Sequence, residues 1–166
     1  MRLGLTFSPE AAMHDATDPR SPHSIILEAI TPPILVGYDG STPSRHALAY
    51  AAGMARRMAR PLMLAHVRPT PTRYAIADEW IPPSEDPAEL LDWMRTELAE
   101  TIDPNGMTVH LVQLSGNAAR QLAELAGETH ADAIVLGAPE HWVHRIIGSV
   151  PVWLARHARC PVIVVP

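Results

Sequence analysis

From Pro33 onward the chain alternates short runs of Ile, Val and Leu with longer segments whose apolar residues recur at helical spacing. The runs cover residues 34–38, 62–67, 107–114, 132–137 and 161–165, and turn residues mark nearly every switch. They are continuous rather than alternating, as strands buried on both faces are. The order is therefore β-α-β-α-β-α-β-α-β, which predicts an α/β fold with a parallel sheet covered on both sides. Right-handed crossovers wind such a chain into a doubly wound sandwich. Its ligand crevice lies at the carboxyl ends of the strands, where the strand order reverses. Three segments should meet there: Tyr38-Asp39-Gly40-Ser41, His66-Val67-Arg68, and the chain from Gly137 onward.

The helical segments carry their own start signals. Ser41 or Thr42 can cap the first helix with Pro43 in its first turn, where the missing N–H costs nothing. Ala47, Leu48, Ala51, Met54, Ala55 and Met58 form its apolar stripe, and Pro61 ends it. Asp86-Pro87 repeats the signal before Leu90, Leu91, Met94, Leu98 and Ile102. Gly116-Asn117 opens a third helix with Leu122, Leu125 and Ala126 inward, and residues 149–157 read as the fourth. Pro104-Asn105-Gly106 turns the chain into the third strand, and 69–83 is a long proline-rich connection. Residues 1–32, with Pro9, Pro19, Pro22 and Pro32, read as an extended or partly disordered arm, with room for a short element at 24–30. The domain proper is 33–166, a single copy of the unit.

Composition narrows the chemistry. All 13 basic residues are arginine. Without lysine there is no Walker A loop and no Schiff base, and a phosphoacceptor receiver domain lacks its lysine too. A net charge of −5 gives no electrostatic footprint for nucleic acid. Arg56, Arg57 and Arg60 read instead as cations at a helix C-terminus. No apolar run reaches the roughly 18–20 residues of a membrane span, and the first thirty residues do not read as a secretory signal. The single cysteine, Cys160, excludes an internal disulfide and reads as a packing residue. Cytoplasm is the expected compartment.

Four blocks carry a family resemblance: ILVGYDGSTPSRHAL, LMLAHV, ADAIVLG and GSVPVWLARHARCPVIVV. In this order, over residues 33–166, they resemble a universal stress protein domain. The closing block is the most specific part. The resemblance implies a Rossmann-like sandwich, related to the adenine nucleotide α-hydrolases, with strand order 3-2-1-4-5. It also implies a homodimer, often formed by pairing the last strands, and in some members bound ATP or AMP. The ATP-binding members share a loop of Gly, two residues, Gly, nine residues, Gly, then Ser or Thr. Carried onto this chain, Tyr38-Asp39 matches the turn that contacts the nucleoside, and Val67 lies where adenine meets main chain. Gly137 matches the first loop glycine, and Gly148-Ser149, leading into Val150, the last pair.

The middle of that loop departs from the pattern. Glu140 stands where the second glycine belongs, and ten residues rather than twelve separate Gly137 from Gly148. Gly148-Ser149 can offer free N–H groups to phosphate, and Ser149 can equally cap the fourth helix with no ligand, worth about 1 kcal/mol. A carboxylate ~4 Å from a phosphate charge costs on the order of 1 kcal/mol in water and about 4 near a partly buried surface. Arg145, His141 or His144 can offset this charge, or Arg145 can pair with Glu140. A missing length of backbone cannot be offset, so loop length weighs more. His141 and His144 have metal-ligand spacing without a third ligand nearby in sequence, and Trp142-Val143 read as cover for the sheet edge or a partner. His157 reads as a partner of its helix dipole.

Two functions follow from this reading. One is an adenine-nucleotide sensor in a stress response, with ATP or AMP as ligand. The other is a nucleotide-free dimeric module that offers its arm and the 69–83 connection to a partner. Catalysis beyond slow ATP hydrolysis has no support, because SGGxDS, HxGH, an ordered Ser-His-Asp set and paired carboxylates are all missing from the sequence.

Overall fold

A computed structural model describes residues 31–69, 87–139 and 150–166. The strands are β1 (Ile34–Gly37), β2 (Leu62–Arg68), β3 (Val109–Ser115), β4 (Ala133–Gly137) and β5 (Val162–Val165). The helices are α1 (Thr42–Met58), α2 (Pro87–Thr101), α3 (Ala118–Glu128) and α4 (Val150–His157). All strand pairs are parallel and the sheet runs β3-β2-β1-β4-β5. The doubly wound five-stranded sandwich is therefore the observed fold. The arm up to residue 30 with its expected element at 24–30, the 70–83 part of the connection, the Asp86 cap and the 140–149 part of the loop lie outside the described residues.

Alternation along the central strands divides the core. Ile34, Val36 and Tyr38 face α1 and α2, together with Leu62 and Leu64 of β2. Leu35, Met63, Ala65 and Ile134 face α3 and α4. Right-handed crossovers require this division: the chain steps outward from β1 to β3 with helices on one face, then returns to β4 and β5 with helices on the other. Each fully buried Leu, Ile or Val contributes about 1.5–3 kcal/mol, and β1 has three such side chains in a row.

Element ends follow the capping signals. Ser41 caps α1, its Oγ accepting from the Ser44 N–H at 3.2 Å. Asn117 caps α3 in the same way, accepting from the Arg120 N–H at 3.1 Å. The α1 helix stops at Met58 because Ala59 turns left-handed at φ 51°, before Pro61 is reached. Below it, Arg56 donates to the Asp103 carbonyl, and Arg60 pairs with Asp132 at 2.6 Å across the amino ends of the strands. The arginine cluster thus ties α1 to its neighbours as well as complementing its dipole.

The candidate nucleotide crevice

The order reversal lies between β1 and β4, and the carboxyl ends of β2, β1 and β4 stand side by side there. The first turn is built by Asp39. Its Oδ1 accepts from the Ser41 N–H at 3.0 Å and from the Ser41 hydroxyl at 2.6 Å. Gly40 completes the reversal at φ 85°, in the left-handed region where glycine is unstrained. Ser41 then caps α1, so a single chain of hydrogen bonds runs from Asp39 into the helix. Asp39 itself is exposed at the rim.

Gly137 closes the opposite side. A Cβ there would stand 2.4 Å from the Pro43 carbonyl carbon and 2.6 Å from the Ser44 nitrogen. The end of β4 therefore sits directly on the first turn of α1, which brings Gly137 beside the Asp39–Ser41 turn. No side chain fits at that position. Val150 begins α4 half-buried against the second core, while Gly148 and Ser149 lie outside the described residues, as do Glu140, His141, His144 and Arg145.

Val67 is placed by strand alternation. The Leu62 N–H donates to Thr108 and the Gly116 N–H to the Arg68 carbonyl, so the main-chain groups of even-numbered β2 residues serve β3. Those of odd-numbered residues face β1, as the Tyr38 N–H to Ala65 bond shows. The β1–β2 register ends at Gly37–Ala65. Val67 thus directs its main chain past the end of β1, toward the crevice.

The Tyr38 side chain turns the other way. Its ring is buried against Trp93, with centroids 5.7 Å apart, and its hydroxyl donates to Glu97. Arg45 of α1 grips the same carboxylate with two bonds of 2.8 and 2.9 Å. Arg45, with the Tyr38 hydroxyl, holds the Glu97 carboxyl below its ordinary range, while burial and the adjacent carboxylate push the Tyr38 phenol up. This cluster packs α1 and α2 beneath the Asp39 turn. Sequence reading missed it, although one signal was present: Glu97 falls on the face of α2 otherwise marked by Leu90, Met94 and Leu98.

His66, also buried, brings its Nδ1 to 2.8 Å from the Tyr38 carbonyl oxygen. His157 binds the Trp153 carbonyl at 2.7 Å in the last turn of α4, where a helix-dipole partner belongs. Burial raises the Cys160 thiol, in keeping with its packing position. Among the described residues no group of three His, Cys, Asp or Glu side chains could hold a metal ion. No described helix is long and apolar enough to cross a membrane.

An all-parallel doubly wound sheet of order β3-β2-β1-β4-β5, with the Asp39 turn at its switch point, defines a Rossmann-like α/β fold. The sequence profile of the Universal stress protein family matches residues 31–166, and the chain belongs to that family. Among solved structures, a universal stress protein from Archaeoglobus fulgidus is similar at 26% identity and TM-score 0.61, covering 82% of this chain and 100% of its own. A family protein from Burkholderia pseudomallei is 30% identical at TM-score 0.50, covering 80% and 94%. The Archaeoglobus fulgidus universal stress protein in complex with dAMP is 24% identical at TM-score 0.58, covering 83% and 100%. No curated protein matches the chain.

Proposed function

We propose that this protein binds an adenine nucleotide at the β1–β4 switch point and responds to its occupancy in a stress response, favouring AMP over ATP. The observation that carries this reading is the convergence there of three groups. They are the Asp39 carboxylate, the Val67 main chain aimed past β1, and the side-chain-free end of β4 at Gly137. Asp39 would hold the nucleoside, Val67 the adenine edge, and Gly148, Ser149 and Val150 the phosphate. The dAMP complex of a relative supports a monophosphate ligand. The shortened loop with Glu140 weakens the hold on β- and γ-phosphates.

Calorimetry on the ligand-stripped protein tests this. AMP should bind saturably and at least about tenfold more tightly than ATP. The appropriate variant is Asp39→Asn, which keeps an acceptor for Ser41 while removing the charge. It should weaken AMP by about tenfold. No heat from AMP, ADP or ATP would sink the proposal.

A second reading is a homodimer joined through β5 that needs no nucleotide. It is favoured by one observation: β5 is a sheet edge whose Val164 is 38% exposed, and apolar edges invite pairing. Sedimentation should then give a species of twice 18.1 kDa with or without AMP.

A further inference from the structure

We propose that His66 is a positioning residue for the crevice: its imidazole holds the Tyr38 carbonyl, and through it the turn that carries Asp39. This rests on the nucleotide reading above. The bond itself fixes the tautomer. A carbonyl can only accept, so the hydrogen sits on Nδ1. Nε2 then carries a bare lone pair, and it is buried without a hydrogen-bond partner among the described residues. The ring stands edge-on to Trp93, centroids 5.5 Å apart at 77°.

A buried ring with an orphaned nitrogen is a poor choice for packing alone, because a leucine would fill such a place without the desolvation cost. Among the described residues, the polar bond that offsets this cost is the one to Tyr38. Its location gives that bond a role. The β1–β2 ladder closes with the Tyr38 N–H donating to Ala65 at 2.9 Å. In a continued ladder the next bond would join the Val67 N–H to the Tyr38 carbonyl. His66 takes that carbonyl with its side chain instead. The Tyr38–Asp39 peptide is thereby turned out of the sheet, and the Val67 main chain is left facing the crevice. Trp93 packs on both Tyr38 and His66, and the Glu97 cluster holds the other end of Tyr38. One residue thus sets the orientation of both main-chain walls of the crevice.

The test compares His66→Leu, which has no donor, with His66→Asn, whose amide places an N–H close to the Nδ1 position. Three readouts apply to the full chain: imidazole nitrogen shifts of the unaltered protein, amide shifts without nucleotide, and AMP affinity. The unaltered imidazole should be protonated at Nδ1 and bare at Nε2. His66→Leu should move the Asp39, Gly40 and Val67 amides while leaving Leu154, on the opposite face, in place. It should also weaken AMP by roughly tenfold, and His66→Asn should return the affinity to within about threefold. Should the leucine variant fail to fold, His66→Gln, whose donor sits one bond too far out, carries the same expectation. An Nε2-protonated imidazole, or unmoved Asp39 and Val67 amides, would overturn the proposal. Absence of AMP binding by the unaltered protein overturns the nucleotide reading instead, and the amide shifts then still decide the role of His66.

Discussion

Gly137 and Ser44 approach so closely that a Cβ on the glycine would lie 2.6 Å from the serine nitrogen. The obstruction is backbone in the capped first turn of α1, which cannot swing aside as a side chain can. The glycine is therefore required by packing whether or not a nucleotide is present. Gly137→Ala should cost about 3 kcal/mol, the upper end of overpacking penalties, in urea unfolding. A loss below about 0.5 kcal/mol would show that α1 can shift away from β4 freely.

The Glu97 cluster should be worth more than a surface ion pair. Glu97 is largely buried while the Arg45 side chain is 47% exposed, so the pair falls short of a fully buried one. Glu97→Gln should cost about 2–3 kcal/mol and Tyr38→Phe about 1–2 kcal/mol. The two changes should be non-additive by more than about 0.5 kcal/mol, since both act on one carboxylate. Additive losses would mean that the Tyr38 hydroxyl bond contributes nothing.

Burial holds the His66 and His110 imidazoles below the ordinary value of 6.5. The unfolded chain therefore takes up their protons first as the pH falls. Their effect on stability is flat above about pH 7 and declines below 6.5, by up to about 1.4 kcal/mol per pH unit for each group. Glu97, held below its ordinary 4.5, adds a separate loss only at lower pH. His66→Leu should shrink the decline between pH 6.5 and 5 seen by chemical unfolding. An unchanged slope would show that this imidazole is protonated in the fold as readily as out of it.

Charges placed on β5 should break a β5 dimer, and Ile163 and Val165 are two of the apolar positions there. The structure redirects that test. Ile163 and Val165 pack against the α1 side of the core, whereas Val164 is among the exposed large apolar residues. Val164→Lys should dissociate a dimer with little change in unfolding free energy. Ile163→Lys should instead destabilise the fold by about 3 kcal/mol, as burying an unpaired charge does. A monomer at every concentration for the unaltered protein would end the dimer reading.

Much of the fold was legible because its signals are local. Strand runs, the Ser41 and Asn117 caps, and the turn glycines each act within a few residues, and continuous Ile, Val and Leu runs report burial on both faces. Boundaries moved by a residue or two where local preference met the sheet. The third strand, expected from 107, begins at Val109 because the Met107 N–H closes the preceding turn onto the Pro104 carbonyl. Of the candidate site, the places of Asp39 and Gly137 at the ends of β1 and β4 were legible. Arg45, Trp93, Glu97 and the orientation of His66 were not, since their partners lie tens of residues away.

By itself the sequence determined the alternation of elements, their caps, and hence the parallel sheet with its crevice at the strand ends. These follow from spacing and from what each residue type can do alone. Only the tertiary structure decided that Tyr38 turns inward, that Gly137 must be bare to admit α1, and that the Tyr38 carbonyl belongs to His66. Each of those depends on an atom brought close by the winding of the chain, and distance in space is not encoded by spacing along it.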